Sequence, residues 1–334
     1  MDLDMQNNIK ITAIVPAYNV ENYIAAALDS LLAQSQRFHE IIIVDDGSGD
    51  GTGALIEQYR DRAGVKIFHI ENGGQGRARN LALAQASGDY VYFFDADDLL
   101  NADFVATMGA ALRRNPELDV IYFSGTSFLD AGCSSDYMPS YDRKIDLLYR
   151  SGIDATGAML RRDVYFASPC LYLSRTSLWK DNALAFMSIV HEDEEIILRL
   201  SCAAAASLCT STVLFQRRIR PESTMTLPKS QRNAHGYLCA LESMASYCRQ
   251  HRARVAPIRA DLGRRFYNLL RGYVAVCKAI GAAPRYAAIL KLMFKLGRLP
   301  GHRQLYEMWV SPGLHARLSS VKRKFWTLEN SPRR

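Results

Sequence analysis

Residues 90–98 read YVYFFDADD, a run of five apolar or aromatic residues followed at once by three carboxylates within four positions. A continuous apolar run is typical of a strand that is buried on both faces of a sheet, and the acidic residues end it. The same pattern, an apolar run ended by polar residues, occurs at residues 11–19, 41–48 and 65–74. The sequence therefore predicts four strands, each with a polar carboxyl end.

Helical patterns fill the intervals between these strands. Residues 21–34 place their apolar side chains at the spacing of one helix stripe, and residues 54–59 and 75–86 also read as helices. Strands that alternate with helices predict a doubly wound α/β sheet. Because ligands of such sheets bind at the carboxyl ends of parallel strands, we expect the four polar segments to form one binding site.

The acidic segment after the fourth strand has the chemistry of a cation site. Asp95 and Asp97 are two residues apart at a strand end, so their side chains point the same way. Two close carboxylates repel unless a cation or a proton lies between them, and oxygen ligands suit Mg²⁺ or Mn²⁺. The alternative is that Asp98 is the N-cap of a helix that begins near Leu99.

The other polar segments each allow two interpretations. Residues 45–48 (DDGS) form either a simple turn or a site at which a carboxylate accepts hydrogen bonds from a nucleotide base. Residues 73–80 (GGQGRARN) could present backbone N–H groups, Arg77 and Arg79 to an anion, or place both arginines on a solvated helix face. Residues 191–195 (HEDEE) fit the first turn of a helix, where acidic residues are favoured and one could serve as a general base.

Charge divides the chain of 334 residues. Residues 1–228 contain 20 Lys and Arg against 30 Asp and Glu, whereas residues 229–334 contain 21 against 4. We therefore expect a catalytic domain over 1–228 and a basic, mainly helical region over 229–334. The seven cysteines lack Cys-x-x-Cys spacing, the N-terminus lacks an apolar signal region, and no apolar run is long enough to span a membrane, which favours a cytoplasmic protein.

The basic region has amphipathic patterns. Residues 264–278 read as a helix with one apolar stripe, residues 289–298 repeat that pattern, and residues 322–326 add basic and aromatic side chains. Such helices suit the anionic inner face of the cytoplasmic membrane, at about 1 kcal/mol for each basic residue near the surface. The alternative is that their apolar stripes pack on the catalytic domain.

Five segments together resemble the family 2 glycosyltransferases of the GT-A fold, a Rossmann-like mixed sheet flanked by helices. The resemblance covers about residues 9–225 and rests on residues 14–19 (IVPAYN), 44–48 (VDDGS), 71–80 (ENGGQGRARN), 94–98 (FDADD) and 191–194 (HEDE). It implies a metal-dependent, hexosyltransferase-type enzyme that uses a nucleotide-diphosphate sugar, most often a UDP-sugar, and inverts the anomeric carbon.

The resemblance also implies roles for single residues. Asp193 corresponds to the general base, Asp97 with Asp95 to the Mn²⁺ or Mg²⁺ ligands, and Asp46 to the carboxylate on the uracil. The remaining positions expected around the nucleotide sugar are Pro16, Tyr18, Asn19, Glu21, Gly74, Arg79, Asp95, Ala96 and Asp97. A loop near the pyrophosphate or the acceptor is expected to include Glu192, Arg218, Arg220 and Ser223.

The function expected from this resemblance is transfer of a single sugar, because the Gln-x-x-Arg-Trp motif of processive members is absent. The acceptor would be a hydroxyl of a saccharide or a polyprenyl-diphosphate-linked saccharide in capsule, exopolysaccharide or lipopolysaccharide synthesis. The enzyme would work peripherally on the inner face of the cytoplasmic membrane.

Two other functions remain open at this level. The basic C-terminal helices could bind nucleic acid, although they lack a recognised motif and the acidic N-terminal part would repel phosphates. A nucleotidyltransferase would use a similar site but release pyrophosphate instead of a nucleoside diphosphate. No nucleic-acid partner is expected from the preferred interpretation.

Overall fold

The structure is a computed structural model that describes residues 9–135, 138–221, 227–285, 287–289 and 291–292. Ser223 and the segments 293–298 and 322–326, which entered the predictions above, lie outside the described residues. None of the described helices is both long enough and apolar enough to cross a membrane.

Nine strands of the described residues form one mixed sheet. Along the sheet their order is β3, β2, β1, β4, β8, β6, β9 and β5, with β7 paired to β9. The strands are β1 Ile11–Ala17, β2 Glu40–Asp45, β3 Val65–His69, β4 Tyr90–Phe93, β5 Leu99–Leu100, β6 Val120–Leu129, β7 Leu147–Tyr149, β8 Tyr172–Arg175 and β9 Ser207–Ile219.

Helices cover both faces of the sheet. They are α1 Ile24–Leu32, α2 Thr52–Glu57, α3 Gln75–Gln85, α4 Phe104–Arg114, α5 Gly152–Arg161, α6 Thr176–Asp181, α7 Glu192–Ala203, α8 Gln231–Gln250, α9 Arg252–Val255 and α10 Arg259–Ala279.

The four strands expected from the sequence are parallel neighbours. Ile14 of β1 lies beside Ile42 of β2 on one side and beside Phe93 of β4 on the other. All three side chains are fully buried, as a strand covered on both faces requires. Beyond β4, the antiparallel strand β8 follows, which makes the sheet mixed. The expected α/β class and Rossmann-like mixed sheet are confirmed.

The interpretation of Asp98 as a helix N-cap is wrong. Residues Leu99–Leu100 form the short strand β5, which pairs with β9, and the next helix begins at Phe104. The Asp98 carboxylate instead accepts a hydrogen bond from the backbone N–H of Arg218 at 2.7 Å. An acidic residue after a strand can either cap a helix or bind a backbone N–H group of another strand. The second role is observed because residues 99–100 pair with β9, which lies some 120 positions further along the chain.

Two apolar cores lie on opposite faces of the sheet. One is formed by side chains of β1, β4, α1 and α4, such as Leu28, Tyr92 and Phe104. The other is formed by α3, α5, α6 and α7, and it continues without interruption into α8 and α10 through residues such as Leu241 and Phe266. The apolar stripes of the basic region, as far as it is described, therefore pack on the N-terminal part.

A buried carboxylate at the start of β2 joins four segments of the chain. Glu40 accepts hydrogen bonds from the Thr12 hydroxyl at 2.7 Å, from the Ser87 backbone N–H at 2.6 Å and from the Lys66 ammonium at 2.5 Å. Burial alone would raise the pKa of Glu40, but these hydrogen bonds outweigh it and lower the pKa from 4.5 to about 2. The ionised form of Glu40 therefore stabilises the folded state.

The Glu40→Gln variant should lose stability in a pH-dependent manner. A folded-state pKa below the unfolded one stabilises above about pH 5, and this stabilisation is lost as the pH falls toward 2. We expect Glu40→Gln to lower the free energy of unfolding by about 2–3 kcal/mol at pH 7 and to match the wild type near pH 2, measured by urea denaturation. Glu117→Gln, the same change at an exposed position, should have little effect. A constant difference between wild type and Glu40→Gln from pH 2 to 7 would contradict the assignment.

Candidate active site at the carboxyl edge of the sheet

The loops after β1 and β2 are joined by hydrogen bonds. The side-chain oxygen of Asn19 accepts from the Gly49 N–H at 2.8 Å, and the Glu21 carboxylate accepts from the Gly51 N–H at 2.6 Å. Asn19 has a φ of 49°, in the left-handed region that Asn tolerates well. Tyr18, half exposed at 50 %, lies at the rim of this loop pair, and Pro16 is buried within β1. The two loops therefore form one rigid rim with an aromatic side chain free for contact.

Asp46 organises the turn at the start of α3. Its two carboxylate oxygens accept hydrogen bonds from the backbone N–H groups of Gly73 and Gly74, both at 2.8 Å. The chain comes so close at this point that a Cβ on Gly47 would lie 2.7 Å from the Asn72 nitrogen, and Gly47 has a φ of 70°. The Asp46 side chain, which the resemblance placed on a uracil, is thus itself engaged in shaping the loop beside β2.

Arg79 connects the end of β4 to the start of α7. The guanidinium is 1 % exposed, donates to Asp95 at 2.7 Å and to Glu192 at 2.6 Å, and lies over the Phe186 ring. Arg77, in contrast, is exposed, and its guanidinium donates to the Glu71 backbone carbonyl at 3.3 Å. Arg77 is therefore exposed and Arg79 buried, although the sequence pattern gave both arginines the same two interpretations.

Glu192 and Asp193 begin α7. Burial raises the pKa of Glu192 to about 7 even though the Arg79 guanidinium opposes this shift. Asp193 is partly exposed and accepts a hydrogen bond from the Glu194 N–H at 2.8 Å. His191, just before the helix, has a φ of 71°. Because Glu192 and Asp95 share Arg79, the acidic start of α7 lies next to the acidic end of β4.

Three carboxylates crowd the end of β4, around the buried Ala96. Burial first, and then the neighbouring Asp95, raise the pKa of Asp97, and burial with both neighbours raises the pKa of Asp98 well above its usual value. Asp95 also accepts a hydrogen bond from the Gln75 amide at 3.0 Å. Negative charge at this edge is thus in excess, and a cation would relieve it.

Two arginines of β9 and the segment after it contact this acidic edge. Arg220 forms an ion pair with Asp97 at 2.8 Å, and Arg218 donates to the Asp97 carbonyl and to Asp130, both at 2.8 Å. Both guanidiniums lie over the Tyr23 ring. The loop candidates Arg218 and Arg220 are therefore placed at the candidate site, whereas Ser223 is not among the described residues.

Sequence reasoning missed several side chains of this site. Tyr23, Gln75 and Asp130 belong to it through the contacts above, and Cys170 lies with Asp95 and Asp98 in a group whose potential ligand atoms are within 4.8 Å of one another. Tyr23, Asp130 and Cys170 lie outside the motifs quoted above, and Gln75 lies within residues 71–80 without having been singled out there. Among the predicted residues, Asp46 binds the turn that leads to Gln75 and Asp95, and Arg79 joins Asp95 to Glu192, whereas the Asp193 carboxylate accepts from the neighbouring Glu194 N–H.

Comparisons with known proteins agree with this geometry. Residues 12–166 match the family model described as "Glycosyl transferase family 2". Glycosyltransferase GlyA of Streptococcus pneumoniae is 44% identical over 101 residues, which are 30% of this chain and 14% of that protein. Poly(ribitol-phosphate) beta-N-acetylglucosaminyltransferase TarS of Staphylococcus aureus is 32% identical over 182 residues, 53% of this chain and 30% of that one.

The crystal structure of S. aureus TarS residues 1–349 superposes with a TM-score of 0.62 at 25% identity, covering 78% of this chain and 72% of the other. The same fragment in complex with UDP-GlcNAc superposes with a TM-score of 0.57. The regions matched in the two curated relatives amount to less than a third of either protein. Residues 12–166, a little under half of the chain, therefore match glycosyltransferase family 2, and the mixed sheet has the GT-A fold.

Proposed function

We propose that this protein transfers a single sugar from a nucleotide-diphosphate sugar, with UDP as the nucleotide, to a hydroxyl of a saccharide and inverts the anomeric carbon. TarS, the relative with the longest match described above, is named as an N-acetylglucosaminyltransferase and has been crystallised with UDP and with UDP-GlcNAc. The observation that supports the proposal is the pair of ion pairs made by Arg79, which joins Asp95 at the end of β4 to Glu192 at the start of α7.

The nucleoside would bind against the joined loops after β1 and β2. Tyr18 offers an exposed ring for stacking, and Asn19 and Glu21 fix the loop from which it projects. Pro16, Asp46, Gly74 and Ala96 are the further residues that we propose around the nucleotide sugar. Arg79 acts in our proposal through Asp95 and Glu192, since its buried guanidinium is already engaged by them.

The acidic end of β4 fits a divalent cation. Asp95 and Asp97 are partly exposed oxygen ligands with 32% and 20% of their side chains accessible, whereas Cys170 is fully buried and its sulfur suits softer metals. We therefore propose Asp95 and Asp97 as the residues that would hold Mn²⁺ or Mg²⁺. Such an ion supplies Lewis-acid stabilisation of the departing diphosphate. In the structure Arg220 neutralises Asp97.

Asp193 is the proposed general base. It would take the proton from the acceptor hydroxyl while the hydroxyl oxygen bonds to the anomeric carbon and the bond to the diphosphate oxygen breaks. One in-line displacement of this kind inverts the centre and releases the nucleoside diphosphate. Arg218 and Arg220, which contact the Asp97 carbonyl and carboxylate, are the proposed partners of the pyrophosphate. Glu192 would fix Arg79 and thereby the start of α7.

The two-part organisation follows from the charge. We propose residues 1–228 as the catalytic domain and residues 229–334 as a region that contacts an anionic membrane surface, where a polyprenyl-diphosphate-linked acceptor of capsule, exopolysaccharide or lipopolysaccharide synthesis would lie. Arg249, Arg252 and Arg254 at and near α9 are all exposed. Their charges point to an anionic surface as partner.

Replacing Asp193 tests the reaction. With UDP-GlcNAc as donor, Asp193→Asn should reduce UDP release at least a hundredfold, because an amide cannot accept the proton. UDP binding, measured by calorimetry with Mn²⁺, should stay within twofold of the wild type. Asp154→Asn, the same change in the first turn of α5, should leave both unchanged. Full activity of Asp193→Asn would refute the role of Asp193 as the general base.

A thermal-shift panel of nucleotide sugars with and without Mn²⁺ would identify a different donor. Release of pyrophosphate instead of a nucleoside diphosphate would indicate a nucleotidyltransferase.

Replacing Arg79 tests the bridge between β4 and α7. Arg79→Met leaves Asp95 and Glu192 without their shared partner, and we expect about 3–5 kcal/mol lower stability in urea denaturation. Arg77→Met, which removes an exposed arginine from the same helix, should leave the stability close to that of the wild type. Equal effects of the two changes would contradict the bridging role.

Membrane contact can be tested by flotation with vesicles of phosphatidylglycerol and phosphatidylcholine. We expect binding at low salt that is lost at high salt, and lost in the triple variant Arg249→Glu, Arg252→Glu, Arg254→Glu. A matched triple variant on another exposed face, Arg37→Glu, Arg113→Glu, Arg114→Glu, should still float. Absence of binding at low salt would end this part of the proposal.

A further inference from the structure

The C-terminal helices make direct contact with the segment that carries Asp193. Gly236 of α8 lies against Val190, where an added Cβ would be 1.9 Å from the carbonyl oxygen. The next residue of α8, Tyr237, places its ring 3.9 Å from the His191 ring, centroid to centroid. Val190 and His191 immediately precede α7, so α8 touches the two residues from which the helix of the proposed base begins.

The contact fixes an unusual backbone conformation. His191 is the N-cap of α7 and has a φ of 71°, which a non-glycine residue adopts only when the surroundings demand it. Tyr237 lies over His191 on one side, and on the other an added Cβ on Gly272 of α10 would be 3.0 Å from its ring. Gly236 thus allows α8 to approach Val190, and Gly272 provides the space for the Tyr237 ring that contacts His191.

The same helices neutralise the acidic first turn of α7. Arg265 of α10 forms an ion pair with Glu194, and the Ser243 hydroxyl of α8 donates to Glu195 at 2.5 Å. Glu195 is fully buried and also pairs with Arg199. These contacts lie one and two residues beyond Asp193, while the contacts of Gly236 and Tyr237 lie three and two residues before it, respectively.

Asp193 differs from its acidic neighbours. Glu192, Glu194 and Glu195 each form an ion pair, with Arg79, Arg265 and Arg199 respectively. Asp193 has no ion pair within the described part of the chain. A carboxylate without a cationic partner at the start of a fixed helix is suited to accept a proton, because no guanidinium competes for it.

We infer that α8 and α10 position the general base: Gly236, Tyr237 and Arg265 set the place of Asp193 by fixing the residues on both sides of it. This inference rests on the proposed role of Asp193. It assigns to the C-terminal region a part in the chemical step that is separate from membrane contact. Donor binding does not depend on these positioning residues, since the loops that we propose to bind the nucleotide sugar follow β1, β2 and β4.

The test compares two glycines of the C-terminal interface. Gly236→Ala inserts a methyl group against the Val190 backbone, whereas Gly157→Ala inserts one in α5 against the Ile258 side chain, 2.5 Å from its Cγ2 atom. Both changes put Ala in place of Gly inside a helix, so their effects on helix propensity are alike. Only Gly236→Ala should disturb the start of α7.

Three measurements on the full chain distinguish the variants. In Gly236→Ala, amide hydrogen exchange of residues 190–196 should become about tenfold faster, and UDP release from UDP-GlcNAc should fall about 10- to 100-fold in kcat, as expected for a displacement near 1 Å. UDP affinity should stay within twofold. Gly157→Ala should keep the wild-type exchange at residues 190–196 and the wild-type kcat, whatever its melting temperature.

A second pair of variants, at Tyr237, distinguishes loss of the contact with His191 from general misfolding. Tyr237→Phe keeps the ring over His191 and should retain the wild-type kcat, whereas Tyr237→Ala removes the ring and should reduce kcat with unchanged UDP affinity. Wild-type exchange at residues 190–196 in Gly236→Ala, or equal losses in Gly236→Ala and Gly157→Ala, would overturn the inference. A wild-type protein that turns over no nucleotide sugar would instead overturn the proposed function, and the exchange result would still decide whether α8 fixes the start of α7.

Discussion

The site depends on the buried guanidinium of Arg79. Removing an arginine from water is expensive unless carboxylates surround it, and here Asp95 and Glu192 do so at 2.7 and 2.6 Å. The electrostatic requirement has a geometric consequence, because the two carboxylates belong to segments about 100 residues apart. The end of β4 and the start of α7 must therefore lie on either side of the guanidinium.

The acidic edge is balanced from several directions. Arg79 approaches from α3, Arg220 from the segment after β9, and Arg265 pairs with Glu194 from α10. Among the three carboxylates after β4, burial and mutual repulsion still raise the pKa values of Asp97 and Asp98. The site therefore combines fixed cations with a residual excess of acidic groups, an arrangement suited to a divalent ion and a diphosphate.

The described part of the basic C-terminal region packs against the rest of the chain and also carries exposed arginines. Its apolar stripes continue the core formed by α5 and α7, and Arg265 and Tyr237 contact the beginning of α7. The sequence had left packing on the catalytic domain and membrane contact as alternatives. The described helices pack on the catalytic domain. Arg249, Arg252 and Arg254 are exposed, and they form a basic surface that could contact an anionic partner.

The sequence by itself determined the parallel strands, the polar segments at their ends and the resemblance to a glycosyltransferase family, because apolar runs and the residues that end them are local properties of the chain. It could not decide that Asp98 caps no helix, that Arg79 is buried while Arg77 is exposed, or that Arg220 pairs with Asp97. Nor could it show that Tyr237 stacks on His191. Each of these outcomes depends on a contact between residues far apart in the chain, or on burial that such contacts create, and only the tertiary structure sets those distances.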